Sequence, residues 1–389
     1  MRRQLLLSIS LILGDQFFLT NPALALNSPA NLPIDGGPLG TLQLSGGMDG
    51  YLYGQTGTSP HGAPAGSANG DSATGVNLSN AVIGLQKTSG IFQFTLDIGA
   101  VDGLPTLGLG FPKASLKVYR ASPVYLGYIT IAPPNAPFTL SIGQINSLEG
   151  YEGGLDWQNA NIFTSSMWDI SNQNSLGVSG TYTKGPLSVS LAYGDGWDTR
   201  VFNFLQASIT YNIGSTDSLD IYYGGNLGRT GANAITYFQM PVGSAPYLVN
   251  SQTIGVYDAY TRGNITLVPE LQYVYAKPDH LVSIDKYTAN FSAALFGDYT
   301  FGSSPYSIGA MASYFDSVGA QGNWYIAPRA AGIGMELTPT WQHKAFFARL
   351  SLGYVHLINT GAGTLYPAYG AAGNGRNILQ SALEAGILF

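Results

Sequence analysis

The sequence predicts an all-β fold: one transmembrane antiparallel β-barrel of about 16 strands (about 14–18), with short periplasmic turns and long extracellular loops. Three observations predict it. Short runs with period-two alternation recur from residue 41 to the end, apolar on one face and small or polar on the other. The connections between these runs are very short and long by turns. The chain ends Leu383-Glu384-Ala385-Gly386-Ile387-Leu388-Phe389, with Leu383, Ala385, Ile387 and the terminal aromatic on one face.

Composition agrees with a wall that faces lipid on one side. Only 10% of residues are charged, against ~25% in soluble domains. Gly (51), Tyr (25) and Phe (17) are abundant, and Cys is absent. Without cysteine there are no disulfides, thiolate metal sites or lipoprotein anchor. The net charge is −6, which argues against nucleic acid as a partner.

At the amino-terminus, Arg2-Arg3 precede the apolar run Leu5–Leu13, and Ala23-Leu24-Ala25 supplies a cleavage site. Residues 1–25 read as a secretory signal peptide, with Asp15 out of pattern. Residues 26–40 read as a loose periplasmic arm, and 41–389 as the barrel. No later segment holds the ~18 consecutive apolar residues of a membrane helix. A membrane location therefore requires a closed barrel, because an open sheet leaves backbone groups unpaired in lipid.

The alternation places strands at 41–53, 79–87, 90–100, 124–131, 137–143, 174–184, 186–194 and 202–212. The remaining eight fall at 218–228, 252–262, 265–275, 287–300, 305–315, 327–338, 345–357 and 377–389. Leu187, Val189, Leu191 and Tyr193 oppose Ser188, Ser190 and Ala192; Phe346, Ala348, Leu350, Leu352 and Tyr354 oppose Arg349, Ser351 and Gly353. Aromatics cluster at the ends of the apolar rows, where girdles meet lipid headgroups. Turns such as Thr88-Ser89, Lys184-Gly185 and Gly263-Asn264 alternate with irregular stretches at 54–78, 101–123, 229–251 and 358–376. A soluble sandwich has no reason to sort its loops by side.

Residues 144–173 differ from the other loops. Glu149, Glu152, Asp156 and Asp169 lie among Tyr151, Trp157, Phe163 and Trp168, with no Lys, Arg or His from Ala121 to Thr183. Aromatics at this density call for a packing surface, and the barrel interior is one. The segment is expected to fold inward and constrict the lumen, with a short helical turn near 155–163; the alternative is a cap over the outer rim.

Gly143-Gln144-Ile145, Gly150-Tyr151-Glu152, Trp157-Gln158-Asn159-Ala160-Asn161-Ile162, Gly177-Val178, Lys184-Gly185-Pro186-Leu187-Ser188 and Tyr193-Gly194-Asp195-Gly196-Trp197 carry a family likeness. They resemble the OmpL-like outer-membrane β-barrel porins, best over residues 120–215 and more loosely in the hairpins beyond. The resemblance implies an outer-membrane channel for small solutes and assigns no binding residue.

On the faces read as inward lie Asp97, Asp220, Glu270, Asp298, Glu336 and Glu384, with Arg349 as the clearest base. Charge lining a lumen sets ionic preference, so this acidic excess points to weak cation selectivity. Pairing of these groups, or a place at the screened rim, is the competing expectation. His61, His280, His343 and His356 have no nucleophile or carboxylate at catalytic spacing, and no metal-ligand or cofactor motif stands out.

The sequence thus points to passive diffusion of small hydrophilic solutes and ions, with a structural or adhesive barrel of blocked lumen as the alternative. The expected partners are outer-membrane lipid, those solutes and the barrel-assembly machinery, for which Phe389 is the insertion signal. A homotrimer is compatible with sixteen strands. No cofactor, no metal and no enzyme activity are expected.

Overall fold

The computed structural model describes residues 26–57, 74–101, 104–111, 123–231, 246–319, 325–361, 369 and 375–389. The expected signal peptide, residues 1–25, and His61 lie outside them. A short strand, β1 (Leu32–Asp35), precedes sixteen longer ones. The first eight are β2 (Thr41–Gln55), β3 (Thr74–Lys87), β4 (Phe92–Ala100), β5 (Val124–Ile131), β6 (Phe138–Asn146), β7 (Asn174–Lys184), β8 (Leu187–Gly196) and β9 (Phe202–Ile213). Then come β10 (Asp217–Asn226), β11 (Gln252–Arg262), β12 (Ile265–Ala276), β13 (Thr288–Thr300), β14 (Tyr306–Val318), β15 (Ala330–His343), β16 (Phe346–Thr360) and β17 (Asn377–Leu388).

Each strand from β2 onward pairs antiparallel with the next, and β17 pairs with β2, closing the barrel. The sixteen runs read from alternation correspond one to one with β2–β17, and β7 and β11 begin and end where the pattern put them. Closure leaves no open sheet edge across the span of β17, which is what hydrocarbon demands. Among the described residues no helix is long and apolar enough to cross a membrane.

The connections sort by side. At one end they are short: 88–91, 132–137, 185–186, 214–216, 263–264, 301–305 and 344–345. Gly185 and Gly263 take φ of 61° and 62° in these tight turns, a region that costs a Cβ-bearing residue energy. At the other end the connections run from 197–201 up to 147–173.

The faces follow the alternation. Leu383 lies opposite Leu350 on β16 and Leu52 on β2, and all three point outward at 53%, 40% and 54% exposure. Tyr211, Tyr299, Tyr306, Trp341 and Phe346 form an exposed aromatic belt near the short turns. Leu383→Arg is expected to cost about 2–4 kcal/mol if its site lies at mid-membrane. Equilibrium unfolding from lipid vesicles measures this, and a cost under about 0.5 kcal/mol would place the site at the interface.

The arm is not loose. Residues 32–35 pair with 41–44 of β2 through a turn at Gly36-Gly37, and Asn27 exchanges two hydrogen bonds with the side chain of Gln342 (2.8 and 2.7 Å). The β17 partnership of β2 reaches only to Gly46–Gly47, where Gly46 and Phe389 exchange backbone hydrogen bonds. Below that point the edge of β2 is unpaired, and β1 covers it.

Candidate functional site

The connection from β6 to β7, residues 147–173, runs among side chains that the strands direct inward. At its start Gln206 on β9 donates to Glu149 Oε1 (3.0 Å). Tyr151 then packs its ring against Tyr257 on β11 and Phe296 on β13, with centroids 5.6 and 5.3 Å away. A 3-10 turn over Asp156–Gln158 follows, narrower than the helical turn expected across 155–163, and a four-residue helix spans Ser166–Asp169. The Asp156 N–H donates to Asn80 Oδ1 on β3 (2.9 Å).

Arg349 on β16 is the anchor of this region and is fully buried. Its Nη1 donates to the backbone carbonyls of Asp156 (3.3 Å) and Asn159 (3.0 Å), and its Nε donates to Glu384 across the strand pair. Its Nη2 stands 3.7 Å from Asp156 Oδ2. Further along, the Phe163 N–H donates to Glu336 Oε1 (2.9 Å), Ser166 bonds to Ser292 (2.9 Å), and Gln272 donates to Ser171 (2.8 Å). A Cβ on Gly309 would come within 2.2 Å of the Ala160 carbonyl oxygen, so the wall admits the segment there only because β14 carries glycine.

The structure gathers some predicted residues and separates others. Asp156, Arg349 and Glu384 form one group, with Glu336 on the neighbouring strand holding Phe163. Glu152 accepts from the backbone N–H (2.8 Å) and the hydroxyl of Ser165, tying the segment to itself. Glu270 accepts from Tyr222 (2.7 Å), and Asp220 from Ser208 (2.9 Å) and Thr210 (2.5 Å). Asp97 and Asp298 face inward on their own strands, outside the Arg349 group. Trp157 packs with Tyr125, Leu155, Phe347 and Leu388, and Asp169 ends half-buried on its short helix. Asp279 pairs with Arg229, and His280 with Asp285 at 3.1 Å.

Burial governs the ionisation of the loop carboxyls. It pushes Glu149 up to about 7, against hydrogen bonds from Gln206 and Thr253 that favour the charged form. It pushes Glu152 up to about 8, opposed by Ser165, and Asp169 up to about 7.

Two features escaped the sequence reading. Asp49 on β2 is buried at 3% exposure, accepts from the Asn80 N–H (2.8 Å) and joins the Arg349 group. Residues 104–111, read as part of an outer loop, instead pack within the barrel. Leu107 and Thr164 bond through their backbones (2.9 Å), Phe111 stacks on Tyr53 at 4.2 Å, and Gly108 accepts from Tyr369 (3.0 Å). Their signal was the apolar run Leu104-Pro105-Thr106-Leu107-Gly108-Leu109-Gly110-Phe111, unusual for a solvated loop.

A family model described as "Putative beta-barrel porin-2, OmpL-like" matches residues 41–389, all of the barrel. The chain belongs to this porin family. The porin accordingly has its place in the bacterial outer membrane as a channel-type barrel. No curated protein matches it by sequence. Its fold is similar to that of in-vitro folded OmpT, an outer membrane protein of Vibrio cholerae: TM-score 0.59, 11% identity, 90% of this chain and 98% of that one. The trimer form of OmpT aligns at TM-score 0.56 and 11% identity, covering 90% and 99%. The anion-selective porin from Comamonas acidovorans aligns at 0.57 and 11%, again covering 90% and 99%. At these identities the likeness concerns the fold alone.

Proposed function

We propose that the porin lets small hydrophilic solutes and ions diffuse passively through a lumen narrowed by segment 147–173, with a weak preference for cations. One observation carries the preference. The described strands direct one base inward, Arg349, against Asp49, Asp97, Asp220, Glu270, Asp298, Glu336 and Glu384, and the loop adds Glu149, Glu152, Asp156 and Asp169. A low-dielectric wall concentrates the field of such an excess, so cations enter at raised local concentration. The trimer form of OmpT supports a homotrimer as the working assembly. Catalysis has no part in this reading: His280, His343 and His356 are engaged by Asp285, Trp341 and Asn377.

The test is the reversal potential of single channels in a KCl gradient, for residues 26–389 refolded in detergent. The wild type is expected to favour K⁺, increasingly so as pH rises through about 7–8, where Glu149 and Glu152 lose their protons. Combined Glu149→Gln, Glu152→Gln and Asp156→Asn should remove most of the preference and flatten that pH dependence. Unchanged selectivity would take these residues out of the filter. A blocked, adhesive barrel is the second reading, and it rests on the buried rings of Phe111 and Phe163 packed 5.7 Å apart. A folded barrel that passes no current would select it.

A further inference from the structure

Asp49, Asp156 and Glu384 come from three elements: the first barrel strand, the inward segment and the last strand. Glu384 lies opposite Tyr51 and Gly386 opposite Asp49, so both wall acids stand on the seam where β17 meets β2. Asp156 is lowered onto them by the segment, and one carboxylate oxygen from each of the three falls within 4.8 Å of the others. All three residues are buried, at 3%, 0% and 0% exposure.

Their oxygens are unequally served. Asp49 Oδ1 accepts from Asn80, and Glu384 Oε2 accepts from Arg349. Asp49 Oδ2, Glu384 Oε1 and both oxygens of Asp156 accept no hydrogen bond. Asp156 is the decisive member. It is a wholly buried carboxylate, aimed at two others, whose charge meets only a guanidinium standing 3.7 Å off. Arg349 is already committed to Glu384 and to two backbone carbonyls. With all three ionised, one guanidinium leaves two negative charges without an adjacent counter-charge, and buried charge in that state is costly.

We propose that Asp49, Asp156 and Glu384 bind one hard divalent cation, calcium in the first instance, which clasps the inward segment to the seam of the barrel. The donor chemistry selects the class: oxygen ligands alone favour calcium or magnesium over zinc or copper. Coordination habit favours calcium: its Ca–O bonds of about 2.3–2.6 Å tolerate irregular geometry, whereas magnesium demands a near-ideal octahedron at about 2.0–2.1 Å, which carboxylates from three separate elements are less suited to supply. A divalent charge would offset those two negative charges, with Arg349 retained on Glu384 Oε2.

Equilibrium dialysis of the chelator-treated, refolded barrel against radioactive calcium at pH 7.5 in 0.15 M KCl tests the site. About one tightly retained ion per chain is expected, together with a rise in unfolding temperature that added KCl does not reproduce. Asp49→Asn and Glu384→Gln, each checked for heat-modifiable folding, should each weaken retention roughly ten-fold or more, through loss of a charged ligand. No retained calcium in the folded wild type at millimolar concentration would overturn the proposal and mean that the carboxylates share protons instead. Undiminished retention in both folded variants would also overturn it, by placing the calcium elsewhere. Dialysis reads no current, so its result stands whether or not the barrel conducts.

Discussion

Excision of residues 148–171, with a short Gly-Ser bridge joining Ser147 to Asn172, is expected to raise single-channel conductance roughly two- to five-fold. The segment meets inward side chains of strands as far apart as β3, β9, β13 and β16, so no small rearrangement lets ions pass around it. The sixteen strands pair with one another and not through the segment, so the shortened chain should still form a heat-modifiable barrel. Unchanged conductance would mean that the narrowest point lies elsewhere, and residues 104–111, which pack beside the segment, are the first place to look.

Arg349→Ala is expected to have the next largest effect. It removes the donor to Asp156 O and Asn159 O and leaves Asp156 and Glu384 facing each other without a guanidinium. Breaking a buried pair from one side costs about 3–5 kcal/mol, more than the hydrogen bonds alone, because the remaining charge stays buried. The segment should come away from β16, with current noise and mean conductance both rising. Arg349→Lys keeps the charge but cannot reach two carbonyls and a carboxylate together, so it should fall between wild type and Arg349→Ala. Quiet, wild-type currents from a folded Arg349→Ala barrel would show that Glu336, Asn80 and Ser292 hold the segment unaided.

The strands were legible because lipid imposes a strict rule on them. Each residue of a spanning strand faces either hydrocarbon or the interior, so parity alone directs Asp97, Asp220, Glu270, Asp298, Glu336, Arg349 and Glu384 inward. Asp49 obeys the same parity, but it lies in Ser45-Gly46-Gly47-Met48-Asp49-Gly50, where glycines erase the contrast between faces, and the register slips between Met48 and Gly50. The arm was misread for a related reason: Leu32 and Ile34 alternate over too few residues to stand out, and only the edge left by the short β17 explains their pairing. The grouping of Asp49, Asp156, Arg349 and Glu384 left no trace in spacing. Closure of the sheet brings residues from near both ends of the chain to one point, and no local pattern encodes that meeting. The apolar run at 104–111 marked a buried segment, but its path was hidden, since irregular backbone carries no period.

The seam has a consequence for the order of events during assembly. Asp49 comes beside Arg349 and Glu384, already partners across the β16–β17 pair, only when β17 has met β2, the strand pairing of greatest sequence separation. Until then Asp156 has no complete set of partners, and the segment is held only by its contacts with Gln206, Phe296, Ser292 and Glu336. Complete fastening is thus a report that the ring is finished: a chain halted before β17 lacks Glu384, and its turn over Asp156–Gln158 is expected to be open to protease, whereas in a sealed barrel it is not. The side chains proposed to narrow the channel would then also carry the proof of its own completion.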